Sequence, residues 1–154
     1  MPIVKFQNYS GIKNEQHTPR AIADVDLKNG YAVTIDYVDG DEVAKLPTAD
    51  TAKGDIYFVN NTITTPELKN YEDFVIKKGK PVRAFNFANS AREIVEISGD
   101  LVTGNNIAKG DILVAGTDGG YTKVEAATGY KVSLKVVDFN NVGGSGYDCV
   151  IVVG

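Results

Sequence analysis

Residues that could do chemistry are few and widely separated in this chain. His17 is the only histidine and Cys149 the only cysteine. A catalytic dyad needs a nucleophile beside a base, and a cysteine nucleophile also needs an electropositive setting. His17 lies in an irregular stretch before Pro19, which predicts an exposed loop side chain. Cys149 lies in an apolar run, which predicts a small buried hydrophobe rather than a nucleophile.

The acidic residues match no known metal-binding or catalytic pattern. Four acids cluster within seven positions, as Asp36, Asp39, Asp41 and Glu42. Their spacing differs from that of the twelve-residue calcium loop, so a solvated hairpin tip is the better interpretation. The glycines at 116–120 lack the strand–glycine–helix context of a phosphate-binding loop. The sequence therefore predicts no catalytic residue, no metal and no cofactor.

A basic cluster is the most suggestive charged feature. Lys77, Lys78, Lys80 and Arg83 lie within seven positions that contain no acid. One interpretation is a charged hairpin tip at Gly79 that protects a strand edge from other strands. The other is a basic patch that docks on an acidic protein surface. The net charge of -4 argues against nucleic acid as the principal partner.

One five-residue motif occurs twice and organises the predicted strands. The run Ala-Lys-Gly-Asp-Ile at 52–56 recurs at 108–112, and a looser version occupies 27–31. Each copy leads into apolar residues that suit a pleated, half-buried surface. We expect the glycines of the three copies, Gly54, Gly110 and Gly30, to adopt the positive φ of a tight turn.

Alternating apolar and polar residues predict about nine or ten strands. Turn signals at Asp39-Gly40 and 118–120 separate some of them. The predicted strands span residues 31–37, 43–46, 55–60, 74–76, 82–87, 94–97, 111–115, 121–124, 132–136 and 147–153. The last strand is strongly apolar, so we expect it at a central position with both faces covered. Thr64-Thr65-Pro66-Glu67 predicts the start of one short helix. The fold class is therefore all-β, an antiparallel β-sandwich or a partly open β-barrel.

The chain is long enough for one domain with a substantial core. It has 154 residues, of which 43% are hydrophobic. A single cysteine excludes an intrachain disulfide and fits a reducing compartment. The first residues lack the apolar core of a signal peptide. No apolar run approaches the ~20 residues of a membrane span. We expect synthesis in the cytoplasm and no membrane association.

The first twenty residues differ from the rest of the chain. They lack a clean periodicity and carry a local charge of +2 from Lys5, Lys13, Arg20 and Glu15. Five large apolar residues lie within the first twelve positions: Ile3, Val4, Phe6, Tyr9 and Ile12. Either the terminus is frayed, or it is an extended arm that docks on a neighbouring subunit. The predicted organisation is an arm at 1–20 and a β domain at 21–154, with a potential split into two similar modules near 88–105.

Several of these runs resemble the head decoration (cement) proteins of tailed bacteriophages of Gram-positive hosts. The runs are Pro66-Glu67-Leu68, the residues 74–85, the residues 97–101, Lys109-Gly110-Asp111 and the residues 129–132. Their order, in which glycine turns, strands and an Asp-Gly hairpin alternate, is typical of that family. The resemblance covers residues 50–153 and includes no catalytic signature.

The resemblance implies a structural role without enzyme activity. Such proteins bind the exterior of the expanded capsid and clamp neighbouring major capsid proteins against the pressure of packaged DNA. They are compact β domains that assemble as trimers or dimers, and an N-terminal arm lies across the capsid. The implied location is the virion exterior. Candidate contacts with capsid or subunit are the five N-terminal apolar residues and the four residues of the basic cluster.

Two other classes of function are open to such a chain. A carbohydrate-binding or adhesin-like module of a phage head or tail fibre would use the eight tyrosines to stack on sugars, although tryptophan is absent. An enzyme on a β-barrel, such as a small hydrolase, is disfavoured. Its carboxylates would have to be paired in an apolar context that shifts their pKa values, and the sequence contains no such pair.

Overall fold

A computed structural model describes residues 2–6, 18, 20–61, 74–141 and 145–154. Twelve strands occur in this part of the chain. They are β1 (Val4–Phe6), β2 (Ile22–Ala23), β3 (Ala32–Val38), β4 (Asp41–Lys45), β5 (Tyr57–Val59), β6 (Ala84–Asn86), β7 (Ile94–Ser98), β8 (Val102–Thr103), β9 (Ile112–Ala115), β10 (Tyr121–Val124), β11 (Val132–Asn140) and β12 (Gly146–Val153). Three short 3-10 turns cover Thr51–Lys53, Phe87–Ser90 and Gly99–Leu101.

The strands form two sheets. The seven-stranded sheet has the order β1-β7-β12-β11-β9-β10-β8, and the five-stranded sheet has the order β2-β4-β3-β5-β6. Strands β8 and β10 pair in parallel, as do β2 and β4, whereas the other pairs are antiparallel. Neither sheet closes into a barrel. The all-β sandwich is therefore confirmed, with mixed rather than purely antiparallel sheets.

The main core lies between the two sheets. Alternation along the five-stranded sheet sends Ala32, Phe58 and Phe85 into this core, where residues of the seven-stranded sheet meet them. The Phe58 ring lies 5.4 Å from the Phe85 ring and 4.9 Å from the Phe87 ring, measured between centroids. Aromatic pairs at these separations add stabilisation beyond the area that they bury.

A second core lies behind the five-stranded sheet. The same alternation sends Val33, Val59 and Ala84 to this side. Antiparallel bridges join Ile22 to Pro81 and Leu27 to Ile76. Both faces of the middle of this sheet are therefore covered.

Most predicted strands are confirmed with shifted ends, and two expectations are wrong. The run 74–76 forms only a single bridge at Ile76. The Asp26 carboxylate accepts a hydrogen bond from the Lys78 N–H (2.9 Å), and Gly79 turns the chain at φ 84°. Strand β12 is central, between β7 and β11, but its outer face is not covered, because Val152 is exposed. The helix start predicted at 64–67 lies outside the described residues.

The glycine predictions hold at two of the three motif copies. Gly30 and Gly110 have φ values of 88° and 95°. Gly54 has φ -96°, because it ends the 3-10 turn at Thr51–Lys53 and donates its N–H to the Thr51 carbonyl at 3.1 Å. The first copy is thus a helical turn and the second a tight turn, although five residues are identical.

Both copies of the repeat contact β11. The Lys53 carbonyl accepts from the Lys131 N–H at 2.9 Å, just before the strand begins. In the second copy, Gly110 donates its N–H to the Val136 carbonyl at 2.7 Å. The two repeated turns therefore lie near the two ends of one strand segment, although the strands that follow them, β5 and β9, belong to different sheets.

The chain passes from one sheet to the other through the 3-10 turn Phe87–Ser90. Strands β2 to β6 precede this turn and form the five-stranded sheet, while β7 to β12 follow it and form the seven-stranded sheet with β1. Because both sheets contribute to the main core, the described residues pack as one body. The division into two similar modules near 88–105 stays a prediction.

Replacing Gly30 with alanine is expected to destabilise the fold strongly. A Cβ there would lie 2.7 Å from Leu101 Cδ1 and 3.2 Å from the Ile3 nitrogen, at a φ that side chains rarely adopt. We expect Gly30→Ala to lower the free energy of unfolding by about 3 kcal/mol. Gly110→Ala is the matched control, because φ is 95° and nothing lies within 4 Å. Its expected cost is about 1 kcal/mol. Urea unfolding of the two variants measures both values, and equal losses would contradict the close approach at Gly30.

Candidate interaction surface

The ionisable groups with the largest pKa shifts lie in the core. Burial, reinforced by the nearby Asp148 charge, raises the pKa of the Cys149 thiol to about 12. Burial also raises the pKa of the Tyr121 phenol, whose hydroxyl donates to the Gly30 carbonyl at 3.2 Å. Both groups contribute to packing and are closed to solvent.

The described residues contain no group of three or more histidine, cysteine or acidic side chains placed to hold a metal ion. Nor does this part of the chain include a helix that is long and apolar enough to cross a membrane.

Two carboxylates at the surface, Asp111 and Asp138, hold the nearby backbone in place. The pKa of Asp111 is lowered, first by the Lys123 ammonium at 2.9 Å and then by the Ala108 N–H at 2.8 Å. The pKa of Asp138 is lowered by the Phe139 N–H at 2.9 Å and by Lys109. These carboxylates stabilise local backbone conformations at the turn before β9 and along β11.

Two of the four predicted basic residues have side-chain contacts within the described chain. Lys77 forms an ion pair with Asp26 at 3.2 Å, and this partner lies on a neighbouring segment that the sequence pattern did not link to it. The Arg83 guanidinium lies 5.3 Å from the centre of the Phe85 ring. Lys78 and Lys80 are exposed, with no described carboxylate within ion-pairing distance. Two of the four cations thus remain for docking.

The described N-terminal residues belong to the body of the protein. Strand β1 is the edge strand beside β7, and Phe6 pairs with Val95 in register. Val4 is 3% exposed in the main core, so as a contact candidate it is corrected to a core residue. Ile3 is half-buried and donates its N–H to the Ser98 hydroxyl at 2.8 Å. Tyr9 and Ile12 lie outside the described residues.

The far end of the predicted arm is also attached to the body. Thr18 is buried, and its N–H donates to the Ala84 carbonyl at 2.9 Å. Its hydroxyl donates to the Val82 carbonyl at 3.0 Å. A residue tied down in this way packs on its own fold rather than on a neighbour.

Exposed apolar side chains concentrate on two strand pairs that the sequence did not single out. The large hydrophobic residues that are exposed in the described chain are Val25, Tyr37, Val38, Val137, Phe139 and Val152. Tyr37 and Val38 lie at the end of β3, and Val137 and Phe139 lie near the end of β11. Clustered apolar exposure of this kind is typical of interaction sites.

We call the cluster formed by Val137 and Phe139 of β11, Tyr147 of β12 and Lys109 of the turn before β9 the Phe139 patch. A bulge between Val136 and Asp138 shifts the strand register there. Phe139 is 51% exposed, and its ring meets the Tyr147 ring edge to face at 5.9 Å. The Lys109 ammonium lies 6.0 Å from the centre of the Phe139 ring. An ion pair with Asp138 at 3.1 Å holds this lysine in place.

A separate groove of about 370 Å³ lies over β3 and β4. Its lining residues are Thr34, Ile35, Asp36, Lys45, Leu46, Thr48 and Thr51. The polar groups in it already contact one another: Lys45 pairs with Asp36 at 3.4 Å, and the Thr48 and Thr51 hydroxyls lie 3.1 Å apart. The groove therefore has few polar groups left for a ligand.

No protein-family model, curated protein or solved structure matches this chain. Its function has to be inferred from its own residues and surfaces.

Native Cys149 is expected to resist thiol reagents. With its pKa near 12, the thiolate fraction at pH 8 is small, and the fully buried sulfur is also shielded from the reagent. We expect DTNB to react at least ~100-fold more slowly with the folded protein than with the urea-unfolded chain. Because this is the only cysteine, the absorbance reports one site. Reaction rates of similar size would contradict the packing of β12.

Removing the Asp111 carboxylate is expected to destabilise the fold above pH 4 and to have little effect on stability in strong acid. The folded pKa lies below the ordinary value of 3.8, so the stabilisation is present above that value. It disappears as the pH falls through the folded pKa. We expect a lower urea midpoint for Asp111→Asn than for wild type at pH 5, and similar midpoints at pH 2. Asp50→Asn is the control, because Asp50 makes no capping hydrogen bond. A difference between the urea midpoints of Asp111→Asn and wild type that grows as the pH falls would contradict this expectation.

Proposed function

We propose that this chain is a structural virion protein that binds the exterior of an expanded phage capsid and stabilises contacts between major capsid proteins. The observation that carries the proposal is the Phe139 patch on a closely packed all-β body. The resemblance of residues 50–153 to phage decoration proteins points in the same direction. The expected partner is the major capsid protein, and the expected assembly is a trimer or dimer.

The composition of the Phe139 patch suits a binding hot spot. Aromatic side chains that are surrounded by contacts which exclude water account for much of the energy of protein interfaces. Phe139 is braced by Tyr147, and Lys109 is held by Asp138. Because these contacts already restrict the side chains, little further ordering is needed on binding.

Charge supports docking at a second place. Lys78 and Lys80 project from the turn at Gly79, where all three residues are exposed. Exposed cations that lack a nearby carboxylate speed association with an acidic surface and make it sensitive to salt. The net charge of -4 over the whole chain keeps the remaining surface soluble.

Binding to heads tests the proposal directly. Expanded, undecorated heads are assembled from the major capsid protein encoded in the same genome, mixed with the purified protein and imaged by electron microscopy. We expect density at regular lattice positions for the wild type. Phe139→Ser should weaken binding at least ~10-fold, as loss of a hot-spot aromatic does.

The control variant is Val25→Ser. Val25 is 38% exposed, which matches the 37% of Val137 in the patch, and it lies near β2 rather than on β11. This variant should bind like wild type. Wild-type protein that leaves the lattice bare at micromolar concentration would reject the proposal. Equal binding by Phe139→Ser and wild type would show that the Phe139 patch is not part of the contact with the capsid.

Carbohydrate binding is the weaker candidate. Stacking on sugars requires exposed aromatic faces, and Tyr37 is the only exposed one among the six tyrosines that the structure describes. The groove over β3 and β4 has no aromatic residue in its lining. Tyrosines at positions 9 and 71 lie outside the described residues.

A further inference from the structure

Asn29 and Gly30 form the only Asn-Gly dipeptide in the chain. Asparagine before glycine is especially prone to spontaneous deamidation, because glycine has no side chain to hinder attack by its backbone nitrogen on the asparagine carboxamide. The pair lies in a turn in which Tyr31 donates its N–H to the Lys28 carbonyl at 3.2 Å and Gly30 has a φ of 88°. This φ is typical of the third position of a type II turn. The most reactive dipeptide therefore coincides with a buried, closely packed backbone position.

The reaction at such a dipeptide has a defined course. The Gly30 nitrogen attacks Asn29 Cγ, a bond forms between these atoms, and the bond from Cγ to Nδ2 breaks. The amide leaves as ammonia together with the proton of the Gly30 N–H. Water then opens the resulting succinimide ring at either carbonyl. One product is aspartate, and the other is isoaspartate, whose main chain is longer by one methylene.

In the folded chain both reacting groups are held by hydrogen bonds. The Gly30 N–H donates to the Val59 carbonyl at 2.7 Å. The Asn29 carboxamide forms two bonds with the backbone of Asn61: Oδ1 accepts from the N–H at 2.7 Å, and Nδ2 donates to the carbonyl at 3.0 Å. The succinimide has no hydrogen on its ring nitrogen and has lost Nδ2. Ring closure therefore breaks at least two of these three bonds, each of which contributes to stability.

The segment that accepts the Asn29 side chain is itself fixed. Asn61 Nδ2 donates to the Pro81 carbonyl at 2.9 Å, and Asn61 Oδ1 accepts from the Arg83 N–H at 2.7 Å. Asn60 donates its backbone N–H to the Arg83 carbonyl at 2.9 Å. We call the two bonds between the Asn29 side chain and the Asn61 backbone the Asn29–Asn61 clamp. Because both sides of the clamp are anchored, its opening requires displacement of the surrounding backbone.

The isoaspartate product does not fit the native packing. An extra methylene before Gly30 would shift this residue, and even one carbon added to it as a Cβ would lie 2.7 Å from Leu101 Cδ1 and 3.2 Å from the Ile3 nitrogen. The Gly30 carbonyl also accepts the hydrogen bond of the buried Tyr121 hydroxyl at 3.2 Å. A densely packed interior has no room for such a displacement. The modified chain is therefore excluded from this fold.

We propose that Asn29-Gly30 is a modification site controlled by folding. The native hydrogen bonds keep Asn29 intact, and local opening of the turn permits succinimide formation by reaction within the chain and hydrolysis by water. The isoaspartate product cannot return to the native packing. The reaction thus converts a transient opening into irreversible loss of folded protein. The inference concerns the body of the protein and does not depend on the proposed function.

Peptide mass spectrometry of aged protein tests the control by folding. Folded protein and guanidinium-unfolded protein are incubated at pH 8, and the peptide that contains Asn29 is followed over time. We expect deamidation at Asn29 to be at least ~100-fold slower in the folded protein, because only the locally opened fraction reacts. Similar rates in the two states would overturn the inference.

Two alanine variants test the Asn29–Asn61 clamp. Asn61→Ala removes the side-chain bonds to Pro81 and Arg83 but keeps the backbone groups that face Asn29. We expect it to raise the deamidation rate of the folded protein about tenfold, as loss of two hydrogen bonds implies. Asn60→Ala is the matched control, because its backbone bond to Arg83 is retained, and it should deamidate like wild type. An unchanged rate in Asn61→Ala, or an equal rise in both variants, would contradict the role of the clamp.

Refolding of aged chains tests the fate of the product. Chains that are partly converted in guanidinium are returned to native buffer, and size-exclusion chromatography separates folded from non-native protein. We expect isoaspartate at position 29, detected with protein isoaspartyl methyltransferase and peptide mapping, only in the non-native fraction. Asn29→Asp, which has the acid without the longer main chain, should fold, since its carboxylate can still accept from the Asn61 N–H. Isoaspartate at position 29 in the folded fraction would overturn the inference.

Discussion

A close approach of backbone at Gly30 connects the parts of this fold. The Gly30 N–H donates to the Val59 carbonyl at 2.7 Å, and the Gly30 carbonyl accepts from the buried Tyr121 hydroxyl at 3.2 Å. A Cβ at this position would meet Leu101, just before β8, and the backbone of Ile3, just before β1. Strands β1 and β8 are the two edges of the seven-stranded sheet. Both edges and the five-stranded sheet therefore come together at a residue that has no side chain.

A second close approach involves the next two residues, Tyr31 and Ala32. Ala32 donates its N–H to the Gly119 carbonyl at 2.7 Å, and a Cβ on Gly119 would lie within 2.7 Å of two atoms of the Tyr31 ring. The β9–β10 turn is thus pressed against the start of β3. Contacts between backbones tolerate little displacement, because protein interiors are densely packed. The rigidity of the body follows, and it leaves the Phe139 patch as an exposed apolar surface at which a partner can be met.

Strands that depend on local periodicity can be predicted from the sequence. Turns and bulges that depend on which segments pair with one another cannot. Strand β11 is predicted from alternation, because side chains on successive residues point to opposite faces, and β10 is predicted from the turn signal at 118–120 before it. The 3-10 turn at Gly54 was missed, since the identical pentapeptide at 108–112 forms a different turn when different neighbours contact it. The pairing of Phe139 with Tyr147 is set by a bulge between Val136 and Asp138. Such features are set by residues distant in sequence, so the amino-acid sequence alone gives no signal for them.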